Sequence, residues 1–199
     1  MLTIYHVPRT RSLRVVWLCE EMGLPYEVRL ETFGQPSAEF LEANPLGAFP
    51  AIRDGDVVMG ESTAIMQYLT ETYGPTKLAL KPGHPRFADY LQFVTFGEAS
   101  LSAYMNPVIA TMFGAHDGQK ENFTVEAAKG MFIRRLGALE KKLDEGDYLA
   151  GDFTAADISV GYALGLGEGF GLGERYSAPV KAYSERLKAR PAFQAAAAK

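Results

Sequence analysis

The residues with usable chemistry gather in two short stretches. Arg9-Thr10-Arg11-Ser12 places two hydroxyls and two guanidiniums between a strand-like run and a helix-like one. Arginine keeps its proton and supplies positive charge and donors, whereas threonine and serine hydroxyls can donate to an anion directly. Glu61-Ser62 opens a second helix-like run, where a hydroxyl and unpaired backbone N–H groups suit an anionic group. Each stretch also has a purely structural reading. Ser12 caps its helix and both arginines are solvated, and Ser62 is an N-cap. Thr154-Ala-Ala-Asp157 is explained by a capping box, with Phe153 and Ile158 as its hydrophobic staple. Cys19 is the one cysteine, between Leu18 and Glu20 in mid-helix. It reads as buried and inert, and without Cys-x-x-Cys there is no dithiol chemistry. His6, His84 and His116 lack metal-ligand spacing, so no metal is expected.

The elements that must position these residues differ between the two halves. Leu2 to His6 reads as a strand and Ser12 to Met22 as a helix stopped by Gly23, with Pro25 beyond. Tyr26 to Leu30 is a second strand, and Ser37 opens a short helix. Ala51 to Arg53 and Val57 to Met59 flank Asp54-Gly55-Asp56, a hairpin signal. Ser62 to Thr72 has Ile65, Met66 and Leu69 at helical spacing. This order predicts a mixed sheet covered by helices. Gly74 to Pro85 reads as a linker. Beyond it, Phe87 through Val108 predicts one long amphipathic helix kinked or ended by Pro107. Phe132, Ile133, Leu136, Leu139 and Leu143 mark another. The Gly165–Gly173 stretch predicts a loop or loosely packed helix end. Ala178-Pro179 starts a last helix, with Ala195 to Ala198 as a frayed tail.

The balance of 47% hydrophobic and 22% charged residues is that of an ordinary globular chain. A net charge of −4 argues against nucleic acid or an anionic membrane as partner. No apolar run approaches the ~18 residues of a membrane helix. No signal peptide is visible, and a lone thiol fits a reducing compartment, so a cytoplasmic protein is expected.

Three segments in this order resemble the glutathione transferase family: Arg9-Thr-Arg-Ser-Leu-Arg-Val-Val-Trp-Leu-Cys-Glu-Glu-Met-Gly-Leu-Pro-Tyr26, Asn44-Pro-Leu-Gly-Ala-Phe-Pro50 and Gly60-Glu-Ser-Thr-Ala-Ile65. Phe153 to Asp157 resembles the family's helical-domain capping motif, and Arg190-Pro-Ala-Phe193 its usual ending. Within the family the chain looks closest to a bacterial and fungal, yeast-type-like group. The resemblance implies an α/β thioredoxin-like domain over residues 1–76 and an all-α helical domain over 86–199. It further implies a homodimer, a detoxification role, and glutathione as co-substrate alongside a small electrophile.

For glutathione, the resemblance assigns Glu61 and Ser62 to the γ-glutamyl end and Phe49-Pro50, as a cis-proline turn, to the cysteinyl backbone. Arg9 occupies the position of the catalytic serine in serine-type members, and Arg11 that of the cysteine in the bacterial cysteine-type class. The thiol donor therefore stays open among the Thr10 hydroxyl, the Ser12 hydroxyl and a backbone N–H, with Arg11 lowering the thiol pKa. Tyr5 lies inside the strand, as core or as a wall of the site. Ala48 stands where a lysine is common and removes a contact to the glycyl carboxylate. Tyr104, Met105, Asn106, Met112 and Phe113 are expected around an apolar electrophile pocket. The implied activity is addition of the glutathione sulfur to an electrophile, or glutathione-dependent reduction of a peroxide or disulfide. A maleylacetoacetate-type isomerase would have Ser-Ser-Cys where this chain has Arg9-Thr10-Arg11. A binding protein that keeps the fold without activity draws its support from Arg9.

Overall fold

The computed structural model describes all residues from Met1 to Lys199. They form two compact units: Met1–Ala79 together with Lys188–Lys199, and Leu80–Leu187.

In the first unit, β1 (Leu2–His6) leads into α1 (Ser12–Met22), followed by β2 (Tyr26–Leu30), α2 (Ala38–Ala43), β3 (Ala51–Asp54), β4 (Val57–Gly60) and α3 (Ser62–Thr72). The sheet order is β2-β1-β3-β4. β1 runs parallel to β2 and antiparallel to β3, and β4 is antiparallel to β3. This is the mixed sheet expected of a thioredoxin-like domain. Local signals set its boundaries. Gly23, at φ 64°, closes α1 in the left-handed conformation that glycine tolerates. Its N–H reaches Glu20 O, and the Leu24 N–H reaches Cys19 O. Ser37 caps α2 by accepting the Phe40 N–H. Asp54 pairs with Val57, so Gly55 and Asp56 form a two-residue hairpin loop.

The core beneath the sheet is built from Ile4, Val15, Trp17, Leu18, Ile52, Ile65, Met66 and Leu69, all fully buried. A further helix, α10 (Pro191–Ala197), takes in Ala195 to Ala197 of the run expected to be a frayed tail. Phe193 packs edge-on against Trp17 at 4.9 Å. Arg190 makes a two-pronged ion pair with Glu21, at 2.6 and 2.8 Å. These contacts group the C-terminal residues with the sheet-bearing unit.

The second unit is all helical, as expected. Its helices are α4 (Phe87–Phe96), α5 (Asn106–Gly114), α6 (Phe123–Arg135), α7 (Gly137–Leu143), α8 (Ala155–Gly169) and α9 (Ala178–Lys188), the last ending at the boundary between the units. The single long helix expected from Phe87 to Val108 is interrupted earlier than Pro107. Residues Gly97–Leu101 form a π-helical turn and Ser102–Met105 a 3-10 turn, and Pro107 sits in the first turn of α5. The cause is close packing on α8. Ser159 donates to Val94 O at 2.7 Å, and a Cβ on Gly97 would fall 2.4 Å from Ser159 Oγ. An inserted side-chain hydrogen bond of this kind breaks the regular ladder.

The predicted second helix is split into α6 and α7 at Leu136. Of the two readings of the Gly165–Gly173 stretch, the helix end holds for Gly165, Gly167 and Gly169, the last turns of α8, where Gly167 is closely packed and a Cβ would meet Tyr176 and Phe132. The expected capping box is present: Thr154 and Asp157 satisfy each other's backbone N–H groups. Asp157 also accepts from Leu149 N at 3.1 Å and Tyr183 Oη at 2.8 Å. No helix is long and apolar enough to cross a membrane.

Candidate functional site

Strand register brings the two chemistry-bearing stretches to one end of the sheet. Tyr5 pairs with Ala51, and Ala51 pairs with Gly60. The segment after β1, the Phe49-Pro50 turn before β3 and the Glu61-Ser62 entry to α3 therefore leave the sheet side by side. The carboxyl ends of β1 and β4 both point there, the end of an α/β sheet where ligands commonly bind.

In the β1–α1 segment the hydroxyls turn inward. Ser12 is the first residue of α1 but caps nothing, and the preceding Arg11 makes no side-chain cap either. The Ser12 side chain is fully buried. Its Oγ lies 2.7 Å from His6 Nδ1 and 2.8 Å from Thr10 Oγ1, and it accepts the Val7 N–H at 3.2 Å. The capping reading of Ser12 is thereby replaced, because His6 and Val7 compete successfully for its hydroxyl. Thr10 is half-buried and donates to Val7 O at 2.8 Å. Arg9 is exposed, with a positive φ of 65°. Arg11 is half-buried and engaged in contacts of its own.

At the α3 entry, Glu61 also has a φ of 65° although it is not glycine, a costly conformation that clusters at functional sites. Glu61 is exposed and its side chain caps nothing. Ser62 is 3% exposed and accepts a hydrogen bond from Arg14 Nη1 at 3.1 Å. Arg14 is itself completely buried.

The Phe49–Pro50 peptide is cis, in agreement with the resemblance. Phe49 stacks on Phe40 at 4.2 Å, and Phe40 meets the Tyr5 ring edge-on at 5.7 Å. Asn44 organises the loop ahead of this turn. It donates to Ala48 O at 2.6 Å and accepts the Leu46 N–H at 3.2 Å. Tyr5 is core, fully buried, with its hydroxyl bonded to Glu39. Cys19 is also fully buried, and burial pushes its thiol up to about 12.

Sequence reasoning missed His6, Arg14 and Asn44. The available signal for Arg14 was a lone cation inside the apolar run Leu13 to Leu18. His6 carried a comparable signal, a polar residue ending a buried strand.

The five residues expected around an electrophile pocket sit in different surroundings. Tyr104 is half-buried, with Arg135 over its ring at 3.5 Å and bonded to its hydroxyl at 2.7 Å. Met105 is fully buried in the core of the second unit. Asn106 is exposed at the start of α5, and Met112 and Phe113 are exposed near its end. Tyr104 does line an apolar cavity of about 370 Å³, with Pro107, Phe123 and Met131. No group of three or more His, Cys, Asp or Glu side chains is arranged to hold a metal ion.

A family model described as the glutathione S-transferase N-terminal domain matches residues 5–77. A probable glutathione S-transferase of Oryza sativa subsp. japonica is 32% identical, over 95% of this chain and 91% of its own. Glutathione S-transferase 3 of Schizosaccharomyces pombe is 28% identical, over 100% of this chain and 88% of its own. A Pseudomonas putida glutathione transferase, solved with one glutathione disulfide bound per subunit, superimposes with a TM-score of 0.86. It is 25% identical and covers 98% of this chain and 90% of its own. With the sheet order, the cis Phe49–Pro50 peptide and the Glu61-Ser62 entry to α3 already in place, these matches make the chain a member of the glutathione transferase family.

Proposed function

We propose that this chain is a glutathione transferase that stabilises the glutathione thiolate for attack on a small, apolar electrophile. The observation that carries the reading is the convergence of Thr10, Phe49-Pro50 and Glu61-Ser62 at one end of the sheet. The γ-glutamyl carboxylate is assigned to Ser62 and the N-terminus of α3, where backbone N–H groups and the helix dipole favour an anion. Arg14 supports Ser62 from behind with a buried positive charge. The exposed Glu61 carboxylate takes the ligand's ammonium. The Phe49 backbone pairs with the cysteinyl peptide as one more short strand.

A free thiol titrates near ~8.5, so only a few per cent is thiolate at neutral pH. Of the open donors, Thr10 is the outer hydroxyl, while Ser12 is buried behind it. Thr10 therefore donates to the sulfur, Ser12 holds Thr10, and Arg11 with the N-terminus of α1 adds positive potential. Arg9 is exposed and is assigned to the rim of the site. The electrophile is assigned to the helical unit, with Tyr104 the strongest candidate and Asn106, Met112 and Phe113 the others. Met105 belongs to the core. A cytoplasmic homodimer remains part of the proposal.

The same bound thiolate would serve reduction of a peroxide or disulfide, and the disulfide in the Pseudomonas putida relative favours keeping this second reading. Isothermal titration with glutathione, followed by turnover of a chloronitrobenzene electrophile, tests the proposal. Binding with turnover is expected. Binding without turnover favours the reductase or a binding role, and absence of binding overturns the reading.

A further inference from the structure

β1 ends in a buried histidine that none of the glutathione contacts assigned above employs. His6 is 1% exposed, and its Nδ1 lies 2.7 Å from Ser12 Oγ. Ser12 Oγ lies 2.8 Å from Thr10 Oγ1. The three groups form a line from the interior to half-buried Thr10. Val7 holds that line in place, with its N–H to Ser12 and its carbonyl accepting from Thr10.

Each hydroxyl carries one proton, so the line has two polarities. When Nδ1 is bare, Ser12 donates to His6 and the single Thr10 proton stays inward, on the Val7 carbonyl. Lone pairs of Thr10 then face outward. When Nδ1 carries a proton, His6 donates to Ser12, Ser12 donates to Thr10, and the Thr10 O–H is released to donate to an anion outside.

We propose that His6 is a positioning residue that sets this polarity, accepting the glutathione thiol proton through Thr10 and Ser12 and leaving the Thr10 O–H aimed at the thiolate. The inference rests on the glutathione reading of the site. In the step, the S–H bond breaks and its electron pair stays on sulfur. The proton bonds to Thr10 Oγ1, the original Thr10 proton passes to Ser12 Oγ, and the Ser12 proton passes to Nδ1. One S–H bond is exchanged for one N–H bond, and both hydroxyls are restored in the reversed direction. No external base is consumed.

The starting state suits this role. Burial lowers His6 from its ordinary value of 6.5, so it begins as a neutral acceptor. The charged groups on the elements around it include Arg9 and Arg11 in the loop, buried Arg14 on α1, Arg29 on β2, Glu31 after β2 and Arg53 on β3, and burial is the cause of the shift. In the product state, the thiolate faces the imidazolium along the line. Their attraction offsets the desolvation that otherwise disfavours a charged His6.

The test is calorimetric titration of glutathione into the full chain near neutral pH, in buffers of different ionisation enthalpy. Thiolate is measured by ultraviolet absorbance on the same samples. The wild-type protein is expected to form thiolate while releasing little or no proton to the buffer. His6→Asn keeps a donor near the position of Nδ1 but has no basic nitrogen. It is expected to release one proton per thiolate formed and to raise the thiolate midpoint by about one pH unit, a tenfold change. His6→Leu, which offers neither donor nor acceptor, is expected to raise it further. Stoichiometric proton release by the wild type, or a His6→Asn titration that superimposes on the wild type, overturns the proposal and leaves the glutathione reading standing. Failure of the wild type to bind glutathione overturns both. The wild-type measurement stands alone even if a variant does not fold.

Discussion

Arg14 Nη1 donates to Ser62 Oγ across 3.1 Å, joining the first turn of α1 to the first turn of α3. The guanidinium is completely buried and permanently charged, so it loads positive potential under the proposed carboxylate site and aims the serine at the same time. Arg14→Met is expected to weaken glutathione binding at least tenfold, about 1.4 kcal/mol. It should also destabilise the fold by about 1.5–3 kcal/mol, the usual cost of losing a hydrogen bond to a charged group. Arg14→Lys should not rescue either property, because an ammonium cannot reproduce the planar fork. Calorimetry and denaturant unfolding check both.

Thr10 and Ser12 are separable by substitution. Thr10→Ser keeps the outer hydroxyl and should keep most of the turnover. Thr10→Ala removes the assigned donor to the sulfur and is expected to lower kcat by about 10²-fold, as for loss of one oxyanion donor. Steady-state kinetics with a chloronitrobenzene electrophile read this out. A Thr10→Ala protein with wild-type kcat would move the donor to Ser12 or to a backbone N–H.

The His6 environment predicts an acid-sensitive fold in the absence of glutathione. Burial lowers the folded pKa below the unfolded value of 6.5. The stabilisation gained by keeping His6 neutral is present above pH 6.5 and is lost as pH falls through the lower folded value. Unfolding free energies followed downward from pH 7 should show this loss in the wild type and not in His6→Asn.

Cys19 is expected to be silent in the native protein. Its thiol is fully buried and pushed up to about 12, so almost no thiolate is available near neutral pH. A disulfide reagent should modify it only after denaturation. Cys19→Ala should leave glutathione turnover unchanged, and a Cys19→Ala protein that lost turnover with its fold intact would contradict this assignment.

The α8 cap is expected to affect stability and not chemistry. Thr154→Ala removes the side-chain half of the capping box and should cost about 1 kcal/mol, with glutathione affinity unchanged. Thermal unfolding and calorimetry on the same variant separate the two effects.

Features that depend on a few neighbouring residues were readable in the sequence. Gly23 ends α1 because glycine adopts the φ of 64° there without steric cost. Asp54-Gly55-Asp56 turns the β3–β4 hairpin, and Thr154 with Asp157 starts α8, because the pairing that defines each lies within four residues. The cis Phe49–Pro50 peptide was legible only through the resemblance of its segment to the glutathione transferase family.

Other features depended on partners distant in the chain. Ser159 interrupts the helix at Gly97 from another element, and no pattern within residues 87–108 announces it. Arg14 finds Ser62 48 positions away, and Glu21 finds Arg190 169 positions away. The direction of Ser12 was undecidable from sequence even though His6 is only six positions away. A serine at a helix start can serve equally as a cap. Only the packed end of β1, which buries His6 beside it, determines which partner takes the hydroxyl.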